Sequence, residues 1–302
     1  MQLTRRHLLA ASLVGAASAL LGGLPRGFGA EPAPPATGTG ARLRFSSWLN
    51  MVRGNLSEQL RWVEAQGFEA IELRGNFAQM HPAWKEALRS TPLVPSALDW
   101  SSMGTLVAGS AIEQQKALAS LQQAIDIAAD LRVPNIIIVP PRLGQGLNLP
   151  EPARAVERMA EILGGLADRA AQAGTCLLIE PVSRKGVHCI HTIADGVDLC
   201  RRVNKPGVGV VGDFCHMIQM ETDLTEGLAG GGTFLRQIHL SSRRRTLPGQ
   251  EAEDREKFTA GFRGLKRLGY HGFCSFECGK LETYQDQVPG SLAFLRACWA
   301  EA

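Results

Sequence analysis

From Arg42 to the C-terminus the chain alternates strictly between short apolar runs and longer amphipathic stretches, and this rhythm limits the fold more than any other feature. The apolar runs are LRFSSW (43–48), EAIEL (69–73), LVPSAL (93–98), NIIIVP (135–140), CLLIE (176–180), VGVVGD (208–213), RQIHL (236–240) and FCSFE (273–277). Runs this short and apolar read as buried strands. Between them helical patterning is clearest over Ala111–Leu131, Pro152–Gln172 and Asp254–Leu268. Several helices stop at a glycine just ahead of the next strand, as in AQGFEAIEL, AQAGTCLLIE and RLGYHGFCSFE, which is a C-terminal cap signal. Strand, helix and strand in turn call for parallel pairing through right-handed crossovers. Eight such units in about 260 residues predict an α/β fold, the single-domain (β/α)8 TIM barrel. A doubly wound open sheet would want a glycine-rich phosphate loop after its first strand, and SSWLNMVRGN has none.

The first thirty residues stand apart. TRRHLLA (4–10) sets two arginines ahead of a weakly apolar, Ala/Gly-rich run from Leu8 to Leu24. That order is an export signal, and the arginine pair resembles a twin-arginine motif. The run is too diluted by glycine and alanine to make a good membrane anchor. Residues 1–30 are therefore expected to be an export signal, 31–41 a Pro/Gly linker with no means of packing, and 42–302 the barrel. The expected location is the periplasm, with the twin-arginine export machinery as a partner.

Lys and Arg number 32 against 29 Asp and Glu, a net charge of +3. Arg5, Arg6 and Arg26 lie in the signal, which holds no acid, so the body balances at zero. A neutral body offers no electrostatic footprint for nucleic acid. The seven cysteines are scattered, with no CxxC pair, and signal neither a zinc knuckle nor a disulfide framework.

In a barrel of this type, chemistry belongs at the C-terminal ends of the strands. Strands five to eight end in Glu180, Asp213, His239 and Glu277, on neighbouring staves. Three carboxylates and an imidazole converging on one rim repel one another unless a cation sits among them. A strand-end acid often just caps the next helix, but four consecutive strands ending this way point to one divalent metal ion. Oxygen-rich ligation with a single imidazole suits Mn²⁺, with Mg²⁺, Co²⁺ and Zn²⁺ as alternatives. Removing a proton alpha to a carbonyl creates an enediolate, whose charge such an ion stabilises. Two carboxylates on opposite faces of one carbon permit epimerisation, a shuttle to the next carbon gives isomerisation, and a beta leaving group gives elimination.

The motifs IEPVSR (179–184), GDFCHM (212–217), HLSSRRRTLPG (239–249) and SFECG (275–279) resemble the xylose-isomerase-like barrel superfamily. Within it they are most similar to the sugar phosphate isomerase/epimerase branch that holds ketose 3-epimerases and hydroxypyruvate isomerases. The resemblance implies that Glu180 and Glu277 are both ligands and acid/base catalysts, with Asp213 and His239 completing the metal shell. It also implies that His216 and Arg245 contact substrate oxygens, and it retains Arg184 of the EPxNR segment. Departures at Ser183, Gly186, Ser241 and Ser242 point away from free ketohexose as the substrate.

Three further residues are candidates for substrate contact by position: Glu72 at the end of strand two, and Trp48 and Trp100 after strands one and three, where an indole can stack on a sugar ring. The expected function is a divalent-metal-dependent isomerase or epimerase of a sugar or small hydroxy-ketone. The alternative is a metal-dependent lyase or deglycosidase of a keto-sugar glycoside. A trinuclear nuclease is excluded, because strands two and three end in ELRG and ALDW without histidine and no Asp-x-His follows His239. Self-association is left open.

Overall fold

The computed structural model describes residues 40–144, 146, 148–279 and 282–302; the expected export signal and all but the end of the linker lie outside the described residues. Eight parallel strands pair in chain order and close into a barrel, β8 returning to β1. They are β1 (Arg44–Trp48), β2 (Ala70–Arg74), β3 (Val94–Asp99), β4 (Asn135–Ile138), β5 (Cys176–Ile179), β6 (Val208–Asp213), β7 (Leu235–Leu240) and β8 (Phe273–Phe276). The intervening helices are α1 (Leu56–Ala65), α2 (Phe77–Ala87), α3 (Ala111–Leu131), α4 (Pro152–Gln172), α5 (Ile193–Val203), α6 (Phe214–Met220), α7 (Leu224–Gly230), α8 (Asp254–Leu268) and α9 (Tyr284–Glu301).

Local chemistry explains the boundaries. Capping boxes open α1 at Asn55 and Glu58, α3 at Ser110 and Glu113, and α5 at Thr192 and Asp195; in each, side chains satisfy amide groups that the first turn leaves free. The glycines expected to stop helices, Gly67, Gly174 and Gly269, all take positive φ (80°, 73° and 68°), a conformation that costs glycine little. Two differences from the sequence reading matter for the site. Strand β3 runs one residue further, to Asp99, and β5 and β8 end one residue earlier, at Ile179 and Phe276. Glu180 and Glu277 thus stand just past their strands, but their N–H groups still donate to Ile138 O (2.9 Å) and Leu240 O (3.2 Å). Each carboxylate is therefore free to point inward from a backbone that the neighbouring strand holds.

The main apolar core lies between the barrel wall and the helices. Inside the barrel, apolar packing is confined to a small cluster of Ala97, Ile137, Cys176, Leu178 and Val211. Polar groups fill the rest of the interior: the Ser46 and Ser96 hydroxyls hydrogen-bond at 2.7 Å, and Glu72, Gln237, His239 and Ser275 are wholly or almost wholly buried. A polar interior survives only where its groups find partners, and here they build the floor of the site.

The β6 end is anchored from outside. Phe214, the residue after Asp213, stacks on Phe258 of α8 with centroids 4.8 Å apart and planes 10° apart. Gly261, one turn along α8, leaves the space in which the Phe214 ring lies; a Cβ there would overlap it. Gly261→Ala is expected to destabilise the fold by about 1–3 kcal/mol through overpacking. Chemical denaturation should show a lower midpoint at unchanged slope.

Candidate metal centre

The C-terminal ends of four consecutive strands bring Glu180, Asp213, His239 and Glu277 together, one ligand atom from each lying within 4.8 Å of all the others. It is the one group of its kind among the described residues. The register places Asp213 beside His239 and His239 beside Ser275, so adjacent staves present their side chains at one level.

His239 is the hub. Its Nδ1 lies 2.6 Å from Glu277 Oε2, 3.4 Å from Glu180 Oε1 and 4.0 Å from Asp213 Oδ2. Its Nε2 lies 3.1 Å from Glu72 Oε2 on the opposite side. Glu72 also accepts from Trp48 Nε1 (2.5 Å) and Gln237 Nε2 (3.1 Å). An Nε2–H held on Glu72 leaves Nδ1 as the nitrogen that faces the three other acids, which is how a carboxylate orients a ligating histidine.

Arg245 closes the cluster from the β7–α8 loop. Its Nη2 is 2.7 Å from Asp213 Oδ2 and its Nη1 is 3.1 Å from Glu277 Oε2. It also donates to the Glu277 carbonyl at 3.2 Å and to Ser241 Oγ at 3.3 Å. Its backbone sits in the left-handed region, φ 62°, which costs a residue with a Cβ on the order of 1 kcal/mol. Asp254 holds the loop in this shape: buried, it accepts at Oδ2 from Ser242 Oγ (2.7 Å), Gly249 N (2.8 Å) and Glu251 N (3.0 Å).

His216 completes the rim. Arg245 Nη2 donates to its Nε2 at 2.9 Å. A nitrogen that accepts has no proton, so the neutral ring carries its proton on Nδ1. Nδ1 is buried with no partner in the protein, an unspent donor at the edge of the cluster.

The electrostatics follow from these distances. Burial, and then the Glu277 charge, push Glu180 up to about 8. Burial acts against ionisation of Asp213 too, but Arg245, His216 and His239 outweigh it and hold that carboxyl well below its ordinary range. His239 is driven well above its ordinary value, Glu72 and Glu277 overcoming burial. Burial lowers His216, consistent with a neutral ring. Asp213 Oδ2 and Glu277 Oε2 are buried and, although close to Arg245, make no hydrogen bond of good geometry. Lone pairs left over on two buried carboxylates, beside an imidazole nitrogen and a third carboxyl, fit a divalent cation taking oxygen and one nitrogen.

His216 and Arg245 come to the cluster, whereas four other residues expected at the substrate are placed differently. Glu72 is 0 % exposed beneath His239 and cannot reach a substrate; the polar barrel interior draws it inward to pair with the imidazole. Trp48 meets His239 edge-on at 6.3 Å, and the Arg74 guanidinium covers its ring at 4.3 Å, so it is a wall, not a stacking platform. Trp100 belongs to the core against α3, where Nε1 donates to Ser120 Oγ at 3.1 Å. Arg184 points to solvent, because Val182 and Ser183 take the buried positions of that loop. The sequence reading did not anticipate Gln237, Asp254 or the Arg74–Asp99 ion pair (3.1 Å). Only Asp99 carried a signal, as an acid closing an apolar run.

A closed parallel barrel with an acid-rich donor cluster on its C-terminal rim defines a class of α/β-barrel proteins with a candidate metal centre. The chain belongs to the xylose isomerase-like TIM barrel family, whose model matches residues 60–298. It is 26 % identical over 260 residues to the 3-dehydro-D-guloside 4-epimerase of Escherichia coli, covering 81 % of this chain and 95 % of that one. It is also 26 % identical to the putative hydroxypyruvate isomerase of Homo sapiens, covering 86 % and 96 %. Among solved structures, the E. coli 3-keto-D-glucoside 4-epimerase superposes with a TM-score of 0.76 at 22 % identity over 85 % of this chain and all of that one. The relatives are thus named as sugar epimerases and a hydroxypyruvate isomerase, which supports a sugar isomerase or epimerase class.

Two outcomes follow from the cluster. In the metal-free protein Glu180 and His239 both hold protons that the unfolded chain releases above 4.5 and 6.5 respectively, so stability falls as pH rises from 6.5 to 8. His216 acts in the opposite sense only below 6.5. Thermal unfolding in chelator should therefore show a transition temperature that declines over that window, and added Mn²⁺ should remove the decline. Glu72→Gln should weaken Mn²⁺ binding roughly 10–100-fold, read by calorimetric titration.

Proposed function

We propose that this protein is a divalent-metal-dependent epimerase or isomerase of a keto-sugar, acting through an enediolate. The observation that carries the reading is the placement of Glu180 and Glu277, two carboxyl groups in one four-donor cluster with Asp213 and His239. Glu180, Asp213, His239 and Glu277 are the residues to hold the ion, Mn²⁺ in first place. When bound, it supplies electrostatic stabilisation for the charge that builds on adjacent substrate oxygens.

The chain's own residues divide the rest. Glu180, pushed up to about 8, holds a proton near neutral pH, while Glu277 is ion-paired to Arg245. One group is thus ready to give a proton and the other to take one, as acid/base exchange at carbon requires. Glu277 removes the proton alpha to the carbonyl; Glu180 returns one to the other face of the same carbon, or to its neighbour. The unspent Nδ1–H of His216 and the Arg245 guanidinium are placed to orient substrate oxygens. The relatives named as acting on 3-dehydro-D-guloside and hydroxypyruvate both handle a carbonyl flanked by oxygenated carbon, which supports the class. The Arg5–Arg6 segment supports export in the folded state through the twin-arginine machinery, and so a periplasmic site of action.

The test is incubation of the Mn²⁺-loaded protein with a panel of keto-sugars in D₂O, followed by NMR. Deuterium should enter at the carbon alpha to the carbonyl, giving an epimer or isomer. Glu180→Gln and Glu277→Gln should each lower turnover roughly 10²–10⁴-fold. Release of a free aglycone would mean elimination instead, and absence of exchange across the panel would sink the assignment.

A further inference from the structure

The acid cluster occupies the C-terminal end of the barrel, and the opposite end carries a recess to which the proposed chemistry gives no role. Its volume is about 540 Å³, within the range of small-molecule sites. It lies where β4, β7 and β8 begin, at Asn135, Leu235 and Phe273. Gly232 and Gly269 border it with positive φ (53° and 68°), and nothing lies within 4 Å of the place where either would carry a Cβ. The rim is therefore open to a ligand.

The charge of the recess is one-sided. Arg44, Arg236 and His271 line it and no carboxylate does, whereas recesses elsewhere on the surface include Glu113, Glu221, Glu282 or Asp286. Arg44 spends Nε on Glu69 Oε2 at 3.0 Å and lies over the Phe273 ring at 4.0 Å, which fixes its guanidinium against the wall. Arg236 is exposed on β7 and forms no ion pair among the described residues. Burial pushes the Tyr270 hydroxyl up, and Arg236 and Arg44 both act against that rise, so the two positive charges bear on one wall of the recess. The C-terminal end of α8 also borders it, where free carbonyls would repel an anion. There Leu265 O and Lys266 O already accept from Tyr270 N and Gly269 N, each at 3.0 Å. At the back, Asn135 is 5 % exposed; its Nδ2 donates to Ser96 O at 2.9 Å and its Oδ1 has no partner, which is costly to leave so.

We infer that this recess binds a small phosphate-bearing ligand, with the phosphate held between Arg44 and Arg236. Guanidinium forks pair with oxyanions through parallel charge-assisted hydrogen bonds. Two forks, the Thr233 hydroxyl and the His271 imidazole suit the three terminal oxygens of a phosphate better than the two of a carboxylate. The inference is independent of the reaction at the acid cluster, which lies at the other end of the strands.

The probes are inorganic phosphate and glycerol 3-phosphate, titrated calorimetrically into the full chain without added metal. The same titrations are made with Arg236→Gln, Thr233→Asp and Arg245→Gln. Arg236 and Thr233 are exposed, so neither change disturbs the core, and Thr233→Asp sets a negative charge at the rim. Both should weaken binding roughly tenfold or more, while Arg245→Gln, at the acid cluster, should leave it unchanged. Equal affinity for the two probes would identify the free ion as the ligand, and tighter binding of glycerol 3-phosphate a phosphomonoester; either supports the site. Absence of binding up to about 10 mM, binding that survives both Arg236→Gln and Thr233→Asp, or binding lost in Arg245→Gln overturns it.

Discussion

Three buried carboxyl groups and a fourth, half-buried one at one end of a barrel can coexist only if positive charge is shared among them. Glu72, Glu180, Asp213 and Glu277 are grouped around a single imidazole, that of His239, with Arg245 on the solvent side. An ionised carboxylate left alone in such a place would be strongly disfavoured. The protein's answer is graded. Asp213 is ionised against a guanidinium, Glu180 retains a proton, and His239 carries one between Glu72 and Glu277. A cation held by these donors would do the electrostatic work of the proton on His239, so binding of a metal would release that proton.

Rigidity around the cluster comes from outside it. The backbones of Glu180 and Glu277 are tied to neighbouring strands, Phe214 pins the end of β6 against α8, and Asp254 knots the loop that carries Arg245. The left-handed backbone at Arg245 is sustained by that knot, and it aims the guanidinium back across the loop to Asp213 and Glu277. A precise site therefore depends on residues that never touch its contents.

Strand order and the four residues that cluster at the rim were legible in the sequence, because period and strand-end position are local signals. LLIE, VVGD, QIHL and CSFE each show an acid or imidazole where an apolar run stops, and a barrel turns that one-dimensional regularity into a ring. The roles of Glu72, Trp48 and Trp100 were not legible. Each also closes an apolar run or follows one, yet whether it faces the mouth, the barrel interior or a helix depends on tilt and on which partners wait inside. Glu72 goes down to His239 because Gln237 and Trp48 are there to receive it. Trp100 turns to α3 because Ser120 offers an acceptor. Asp254 was invisible for a different reason: its partners are backbone amides of a loop whose shape no periodicity encodes.

The candidate donors all stand at the ends of β5 to β8, whereas the side chains that back them, Trp48, Glu72 and Arg74, come from β1 and β2. The candidate donors and the residues that back them thus lie in opposite halves of one polypeptide, joined at the rim by Trp48 and Arg74 and beneath it by Glu72. Glu72 is thus a residue of the N-terminal half answerable to an imidazole of the C-terminal one, and any change at His239 would strand its carboxyl inside the barrel.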